Sequence, residues 1–414
     1  MKLSTLSEWI SWIDSLHHTE IDLGLERVKQ VAERLEVLKP NCPVIMVAGT
    51  NGKGSTVTTL ESIYRAAKYR TATFTSPYLF KPNEQVRINQ EMATDDALCE
   101  AFEKVERARE TISLTPFEFF TLATFVIFKS QQLDIMILEI GLGGRLDAVN
   151  ILDADVSIIT SIDIDHVNYL GNTREQIGFE KAGIFKPNTL AICGDQQPPN
   201  AVLDQAKKLA IPLYIQEQAF GYEEWNAEWS WWSEFKTYEH VPRNQLNIEN
   251  MSTVLMAITL LQNRLSVTED EMIKGLMSVT MIGRVQIIAE PVTKIFDVSH
   301  NPHAITYLKK CLMPYKQKGK LHAVFSMLSD KDVMTCIEIM KDQMEDWFVA
   351  PLVCKRAMPL VGLEAAFKKA GVQNVKYFET ITEAYDEAVG EAKEGESIVV
   401  FGSFHTVAEV MNYL

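Results

Sequence analysis

Apolar residues in this chain gather into short unbroken blocks separated by stretches of helical spacing. Residues 44–48, VIMVA, form such a block and predict a buried strand; the turn GTNGKGST follows, and from Val57 the apolar positions resume at helical intervals. Further strands are expected at 71–74, 134–140, 156–162, 190–193 and 212–215, and helices at 4–16, 26–38, 95–110, 175–184 and within 244–265. A further helix opens near Thr115 and stays apolar through Phe128. Strand and helix alternating in this way predict an α/β fold with a largely parallel sheet. The pattern restarts with a strand at 294–298 and continues through 399–401, so two domains are expected, 1–286 and 287–414, with 280–291 as a hinge. Residues 223–234, EEWNAEWSWWSE, alternate partly with period two and predict a small antiparallel hairpin, either packed as an insert or exposed as an aromatic platform.

The turn after residue 48 suits phosphate binding. Gly49, Gly52 and Gly54 free the backbone to aim N–H groups at an anion, and the helix start adds its own unpaired N–H groups. Lys53 is placed to reach outer phosphates, and Ser55 or Thr56 to face a nucleotide's metal. The spacing departs from G-x-x-x-x-G-K-[ST], because Gly54 is inserted between Lys53 and the hydroxyl. Glu139 closes the strand at 134–140, where ligands of open α/β sheets bind; a magnesium ion or an ion pair with Arg145 would satisfy a buried acid there. Ser76, in TSPYL, and His166, after the strand at 156–162, are candidate metal-side groups at neighbouring strand ends. By residue type alone Lys181, beside Glu180, reads as a salt-bridged surface lysine, and His17-His18 as an exposed helix end.

Composition narrows the partners. A net charge of −15 argues against a nucleic-acid surface, so positive charge must be local. Six scattered cysteines without a CxxC pair suit free thiols in a reducing cytoplasm. No apolar run approaches the ~18 residues of a membrane span, and the start, rich in acids and tryptophans, is unlike a signal peptide. The expectation is a cytoplasmic monomer acting on small molecules, without nucleic acid or membrane.

The words AGTNGKGST (48–56), SPYL (76–79), LEIGLGGRLDA (138–148), SIDIDHVNYLG (161–171), EKAGIF (180–185), IGR (282–284), DVSHNPHA (297–304) and FGSFHT (401–406) run in one order over nearly the full length. Together they resemble the folylpolyglutamate synthase and dihydrofolate synthase family of the Mur-ligase superfamily. The resemblance implies a P-loop NTPase-like ATP-binding domain followed by a smaller Rossmann-like α/β domain. It also implies ATP-driven amide formation: a substrate carboxylate is phosphorylated, glutamate's amino group attacks the acyl phosphate, and ADP and phosphate leave.

Residue by residue, Gly52, Lys53, Gly54 and Ser55 match the family's phosphate grip. Ser76 and Glu139 match ligands of one magnesium, and His166 a ligand of a second. Lys181 matches a lysine carboxylated by carbon dioxide, which reverses its reading as a surface residue. Asn250, Arg284 and Asp297 match contacts to base, phosphate and ribose; His300 matches a position without an assigned role. Asp22-Leu23-Gly24-Leu25, Thr115-Pro116-Phe117-Glu118 and Leu146-Asp147-Ala148 match dihydropteroate-binding segments. They favour a bifunctional enzyme that makes dihydrofolate and extends reduced folates with L-glutamate. Ser299 and Pro116 depart from the common pattern, Pro116 on the pterin side. The alternatives are a monofunctional folylpolyglutamate synthase, a GTPase or kinase, and a non-enzymatic nucleotide-binding regulator.

Overall fold

The computed structural model describes residues 3–225, 228–289 and 291–414. Asn226 and Ala227, in the expected hairpin, and Glu290, in the expected hinge, lie outside the described residues. Two compact units divide the chain, Met1–Val279 and Thr280–Leu414.

In the first unit the apolar blocks become strands β1 (Val44–Ala48), β2 (Thr71–Phe74), β3 (Val86–Ile88), β4 (Glu91–Met92), β5 (Ile135–Glu139), β6 (Val156–Ile159), β7 (Leu190–Cys193) and β8 (Leu213–Ile215). They form one sheet in the order β4-β3-β2-β5-β1-β6-β7-β8. All neighbours from β2 to β8 run parallel, and β3 and β4 close one edge antiparallel. Every residue of β1, β2, β5 and β6 is buried, as expected of strands covered on both faces. Register places Val47 beside Glu139 and Ala48 beside Ile159, so the ends of β5 and β6 flank the start of the glycine-rich turn.

Seven helices of this unit carry or brace the candidate residues: α1 (Leu6–Ile13), α2 (Glu26–Leu35), α3 (Lys53–Ala66), α4 (Asp95–Arg109), α5 (Pro116–Lys129), α6 (Val167–Leu170) and α7 (Arg174–Ala182). The expected helices at 4–16 and 26–38 stop short, at Ile13 and Leu35. Helix α5 begins with a capping box, in which Glu118 N–H donates to Thr115 Oγ1 and Thr115 N–H to Glu118 Oε2. Pro116 holds the first helical position, where a missing N–H costs nothing. Its departure from the common pattern therefore leaves the helix start intact.

The tryptophan-rich segment forms three strands rather than two. Strands β9 (Phe220–Glu224), β10 (Glu228–Ser233) and β11 (Thr237–Pro242) make an antiparallel sheet. Trp229 and Trp231 are buried, and the Trp231 indole donates to Ser252 O at 3.1 Å, on the helix Ile248–Leu260 that carries Asn250. Core packing, not a ligand platform, accounts for these two rings; Trp225 alone of the four is exposed.

The second unit is a six-stranded sheet of β12 (Gln286–Ile288), β13 (Thr293–Asp297), β14 (Leu321–Phe325), β15 (Asp346–Val349), β16 (Val375–Tyr377) and β17 (Ser397–Phe401). Its order is β12-β13-β17-β14-β15-β16, antiparallel only at β12. Phe325, Trp347, Phe367 and Phe401 interlock at its centre, with ring centroids 4.9–5.9 Å apart. No described helix is long and apolar enough to cross a membrane.

Trp231 tests the structural role of the insert. Trp231→Ala should cost about 3–5 kcal/mol in urea unfolding, and Trp231→Phe, which keeps an aromatic ring but loses the bond to the Ser252 carbonyl, about 1–3 kcal/mol.

Candidate active site

The phosphate turn is held from one side by the loop that follows β6. Thr50 N–H donates to Ser161 O at 2.7 Å, and Thr160 Oγ1 to Asn51 O at 2.6 Å. Thr50 Oγ1 donates to Asp163 O and accepts from Asp163 N–H, each at 3.0 Å. Gly49 and Gly52 are required here. Their φ angles are +151° and +86°, and a Cβ would lie 1.8 Å from Thr160 Oγ1 at Gly49 and 2.3 Å from Asn250 Oδ1 at Gly52. Asn250 is thus brought directly against the turn from nearly 200 residues away in sequence.

Gly52 caps the N-terminus of α3, so Lys53, Gly54 and Ser55 supply its first unpaired N–H groups. The Lys53 ammonium lies over the turn, 3.2 Å from Gly49 O and 3.4 Å from Thr50 O. Ser55 and Thr56 are buried in the same first turn, and Thr56 Oγ1 has no hydrogen-bond partner among the described residues. A buried hydroxyl beside a helix N-terminus suits an anion or its metal.

At the neighbouring strand ends, Ser76 N–H donates to Glu139 Oε2 at 3.2 Å, which brings two predicted metal-side residues together. Glu139 is buried, and Arg145, its alternative partner by sequence, instead pairs with Glu180 at 2.8 Å. His166 stands at the start of α6 in a left-handed conformation, its N–H donating to Asp165 Oδ1. It follows the same loop that braces the phosphate turn.

Lys181 is not the salt-bridged surface residue that its neighbour Glu180 suggested. It is 3% exposed near the end of α7 and makes no salt bridge to a described residue. Burial, and then the like charge of Lys53, pulls its amine down to about 7 against the opposing influence of Asp165. The reason for its burial lies in the Gly-Gly-Arg turn, which packs onto the end of α7. Arg145 N–H donates to Glu180 O at 2.8 Å, and a Cβ on Gly144 would lie 2.9 Å from Lys181 O.

The three segments matched to dihydropteroate binding converge. The Phe117 ring lies against the backbone of Gly141, where a Cβ would be 2.5 Å from it. Leu142 N–H and Val149 N–H donate to the two oxygens of Asp147, which sits between Leu146 and Ala148. Burial pushes the Asp147 carboxyl up to about 6 in spite of these bonds and the charge of Lys53. The loop Asp22-Leu23-Gly24-Leu25 runs into α2, and Arg27 there bonds both Asp22 and Glu118, at 2.7 and 3.1 Å. His17, expected at an exposed helix end, has a buried side chain that bonds Ser113 Oγ at 2.6 Å. Sequence reasoning missed Arg27 and the burial of His17, because beside the nearby Asp22 each has a partner, Glu118 or Ser113, more than 90 residues away.

Arg284 and Asp297 come together within the second unit. Val285 N–H donates to Asp297 Oδ2 at 2.9 Å, and Ser299 N–H to Oδ1 at 2.9 Å; the Ser299 hydroxyl adds a further bond. Ser299 in place of alanine therefore gives that carboxylate one more donor. The Arg284 guanidinium lies 5.1 Å from the centre of the Phe404 ring, and His300 Nδ1–H donates to Val298 O. Phe404 was not singled out from the sequence, although it lies within FGSFHT.

Among the described residues no three His, Cys, Asp or Glu side chains form an all-protein metal cage. Magnesium needs none, since it takes one or two carboxylates, retained waters and substrate phosphates. A buried carboxylate with Ser76 beside it, at the edge that carries the phosphate turn, fits such an ion.

Known proteins match this arrangement throughout. The Mur ligase middle domain matches residues 47–249, and the Mur ligase, glutamate ligase domain matches residues 283–404. The dihydrofolate synthase/folylpolyglutamate synthase of Escherichia coli (strain K12) is 42% identical over 411 residues, 99% of this chain and 96% of that one. The structure of E. coli FolC in complex with DHPP and ADP matches with a TM-score of 0.95 at 41% identity, covering 99% of this chain and 97% of that one. A bifunctional folylpolyglutamate synthase/dihydrofolate synthase with Mn, AMPPNP and L-glutamate bound matches with a TM-score of 0.93 at 38% identity, covering 99% and 98%. A phosphate turn of this form at the centre of a parallel sheet, a second α/β unit and full-length similarity at this level lead to one assignment: the chain belongs to the dihydrofolate synthase/folylpolyglutamate synthase family of Mur ligases.

Proposed function

We propose that this chain is an ATP-dependent ligase that joins L-glutamate to dihydropteroate, making dihydrofolate, and adds further glutamates to reduced folates. The observation that carries the reading is the position of Lys53. It starts α3 from the turn after β1, which the ends of β5 and β6 flank, and the loop after β5 leads straight to Asp147, whose carboxylate accepts from Leu142 N–H; this neighbourhood supports a phosphate grip beside an acceptor segment.

In this reading the first unit grips ATP and the acceptor. The N–H groups of Gly52, Lys53, Gly54 and Ser55 hold the phosphates, and the Lys53 ammonium offsets charge as the terminal phosphoryl group moves to the acceptor carboxylate. Asn250 contacts the base, Arg284 a phosphate and Asp297 the ribose. Ser76 and Glu139 would hold one magnesium ion and His166 a second, which would supply further cancellation of phosphate charge. Phe117 and Asp147 orient the pteridine, and the walls of the site keep the acyl phosphate from water until glutamate's amino group attacks.

Lys181 takes the role of a carboxylated lysine. Its neutral amine attacks the carbon of carbon dioxide, the amine proton passes to solvent, and a carbamate anion replaces a cation that burial disfavours. The six scattered cysteines, none in a CxxC pair, support a reducing cytoplasm, and the enzyme is read as a monomer.

ADP release by the purified protein with ATP, magnesium and glutamate tests the function. Turnover with both dihydropteroate and tetrahydrofolate is expected; turnover with tetrahydrofolate alone would leave a monofunctional folylpolyglutamate synthase. Lys53→Ala and Glu139→Ala should each lower kcat by about 100-fold or more with the circular dichroism spectrum unchanged. Near-normal turnover in either would remove that residue from the site.

Lys181→Ala should be inactive and partly rescued by millimolar acetate or formate, and ¹³C-bicarbonate should give a carbamate NMR signal in the parent that this variant lacks. A lysine whose folded pKa lies below its ordinary value costs stability most below that folded pKa, and the cost fades as pH rises toward the ordinary value. In carbonate-free buffer Lys181→Met should therefore raise the melting temperature most at and below about pH 7, with the gain shrinking toward about pH 10.

A further inference from the structure

The loop at 22–25 and the start of α5 lie about 90 residues apart in sequence, and two side chains tie them together. Arg27, in the first turn of α2, donates through Nη1 to Asp22 Oδ2 at 2.7 Å and through Nη2 to Asp22 O at 2.9 Å. The same Nη2 donates to Glu118 Oε1 at 3.1 Å. The other Glu118 oxygen, Oε2, accepts from Thr115 N–H at 2.8 Å, so one carboxylate both caps α5 and receives the bridge. His17 supplies the second tie. The Ser113 hydroxyl donates its proton to Leu16 O at 3.0 Å, which leaves Ser113 Oγ to accept from His17 Nδ1–H at 2.6 Å. His17 Nε2 faces Asp22 Oδ2 at 3.2 Å.

The bridge is not arranged for stability alone. Arg27 Nε is buried and bonds no described residue, and a buried donor left in that state costs free energy. The guanidinium is turned to place its terminal nitrogens on two carboxylates, a geometry that a planar fork allows and an ammonium does not. Asp22 and Glu118 are two of the residues matched to the acceptor, and next to Glu118 the Phe117 ring packs on Gly141. Whatever sets the spacing between Asp22 and Glu118 also sets the width of the acceptor site at that point.

We infer that Arg27 is a positioning residue for the acceptor: by bonding Asp22 and Glu118 together it fixes the loop at 22–25 against the start of α5, and so governs affinity for the pteridine end of the substrate. The inference rests on the reading of these segments as the acceptor side. Arg27 makes no bond to the phosphate turn, Glu139 or Lys181, so the phosphoryl chemistry does not pass through it.

Arg27→Met keeps most of the stem and removes the fork; Arg27→Lys keeps the charge and one bond; Phe117→Ala probes the acceptor side independently of the bridge. Loss of charged hydrogen bonds predicts a rise in KM for dihydropteroate of about 10-fold or more in Arg27→Met and a smaller rise in Arg27→Lys. KM for ATP and glutamate, and kcat at saturating acceptor, should stay within about 3-fold. Dihydropteroate titrations followed by pteridine fluorescence should show the same order in Kd without turnover. If Arg27→Met does not fold, Arg27→Lys carries the comparison. A raised acceptor KM in Phe117→Ala with none in the Arg27 variants overturns the positioning role alone. No change in any of the three overturns the acceptor-side reading and the inference with it. Parallel rises for all three substrates would show a general structural defect and also overturn it.

Discussion

The site depends on the pinning of a glycine-rich turn to the loop that leaves the adjacent strand. A turn containing Gly49, Gly52 and Gly54 has little reason of its own to adopt one conformation, because glycine pays the largest conformational entropy on ordering. Here Thr50 and Asn51 are bonded to Thr160, Ser161 and Asp163, and Thr160 fills the space above Gly49 that any side chain would need. The entropy is offset by a set of bonds supplied from the loop after β6, and the N–H groups at the start of α3 are thereby held in one orientation. Parallel pairing of β1 with β5 and β6 gives this its scale, since it sets three strand ends at one level and delivers Glu139 and the His166 loop to the same edge.

Charge is concentrated against the character of the whole chain. With a net charge of −15 the protein repels anions at long range, yet Lys53 is gathered over the turn and Lys181 is buried within its field. Two neighbouring lysines, neither in a salt bridge to a described residue, are unfavourable as bare cations. Burial also raises Asp147 toward a neutral form. Groups held away from their ordinary protonation by desolvation and specific neighbours mark a working site more often than a structural one. In the proposed reading that tension is relieved by groups that bring negative charge: nucleotide phosphates for Lys53, and a carboxyl group on the amine for Lys181.

Much of this was legible along the chain. The phosphate turn, Glu139 and the alternation of strand and helix needed only local pattern: a fully buried parallel strand is apolar throughout, and a carboxylate at its end breaks that pattern visibly. Local reading went astray where burial came from distant segments. Lys181 looks like a surface lysine because its neighbour is a glutamate, but the Gly144-Arg145 turn packs over the end of its helix and takes Glu180 for Arg145. His17 looks like an exposed helix end, but Ser113 and Asp22 enclose it. The tryptophan-rich segment alternates as a strand should, yet its third strand and its attachment to the helix at 248–260 are matters of packing.

Sequence alone determined the fold class, through short-range rules of apolar period and turn glycines, and the family, through the order of its motif words; it also singled out candidate residues for a phosphate grip at a glycine-rich turn. It did not establish which residues hold those groups in place. Arg27 spanning Asp22 and Glu118, Asn250 closing on Gly52 and Phe404 beneath Arg284 each depend on residues about 90 to 200 positions apart, or on side chains that ordinary patterning leaves anonymous. Such contacts leave no mark in local periodicity. They exist only once the sheet has set its strand ends side by side and the helices have packed against it, since only then does a buried charge acquire the neighbours that satisfy it.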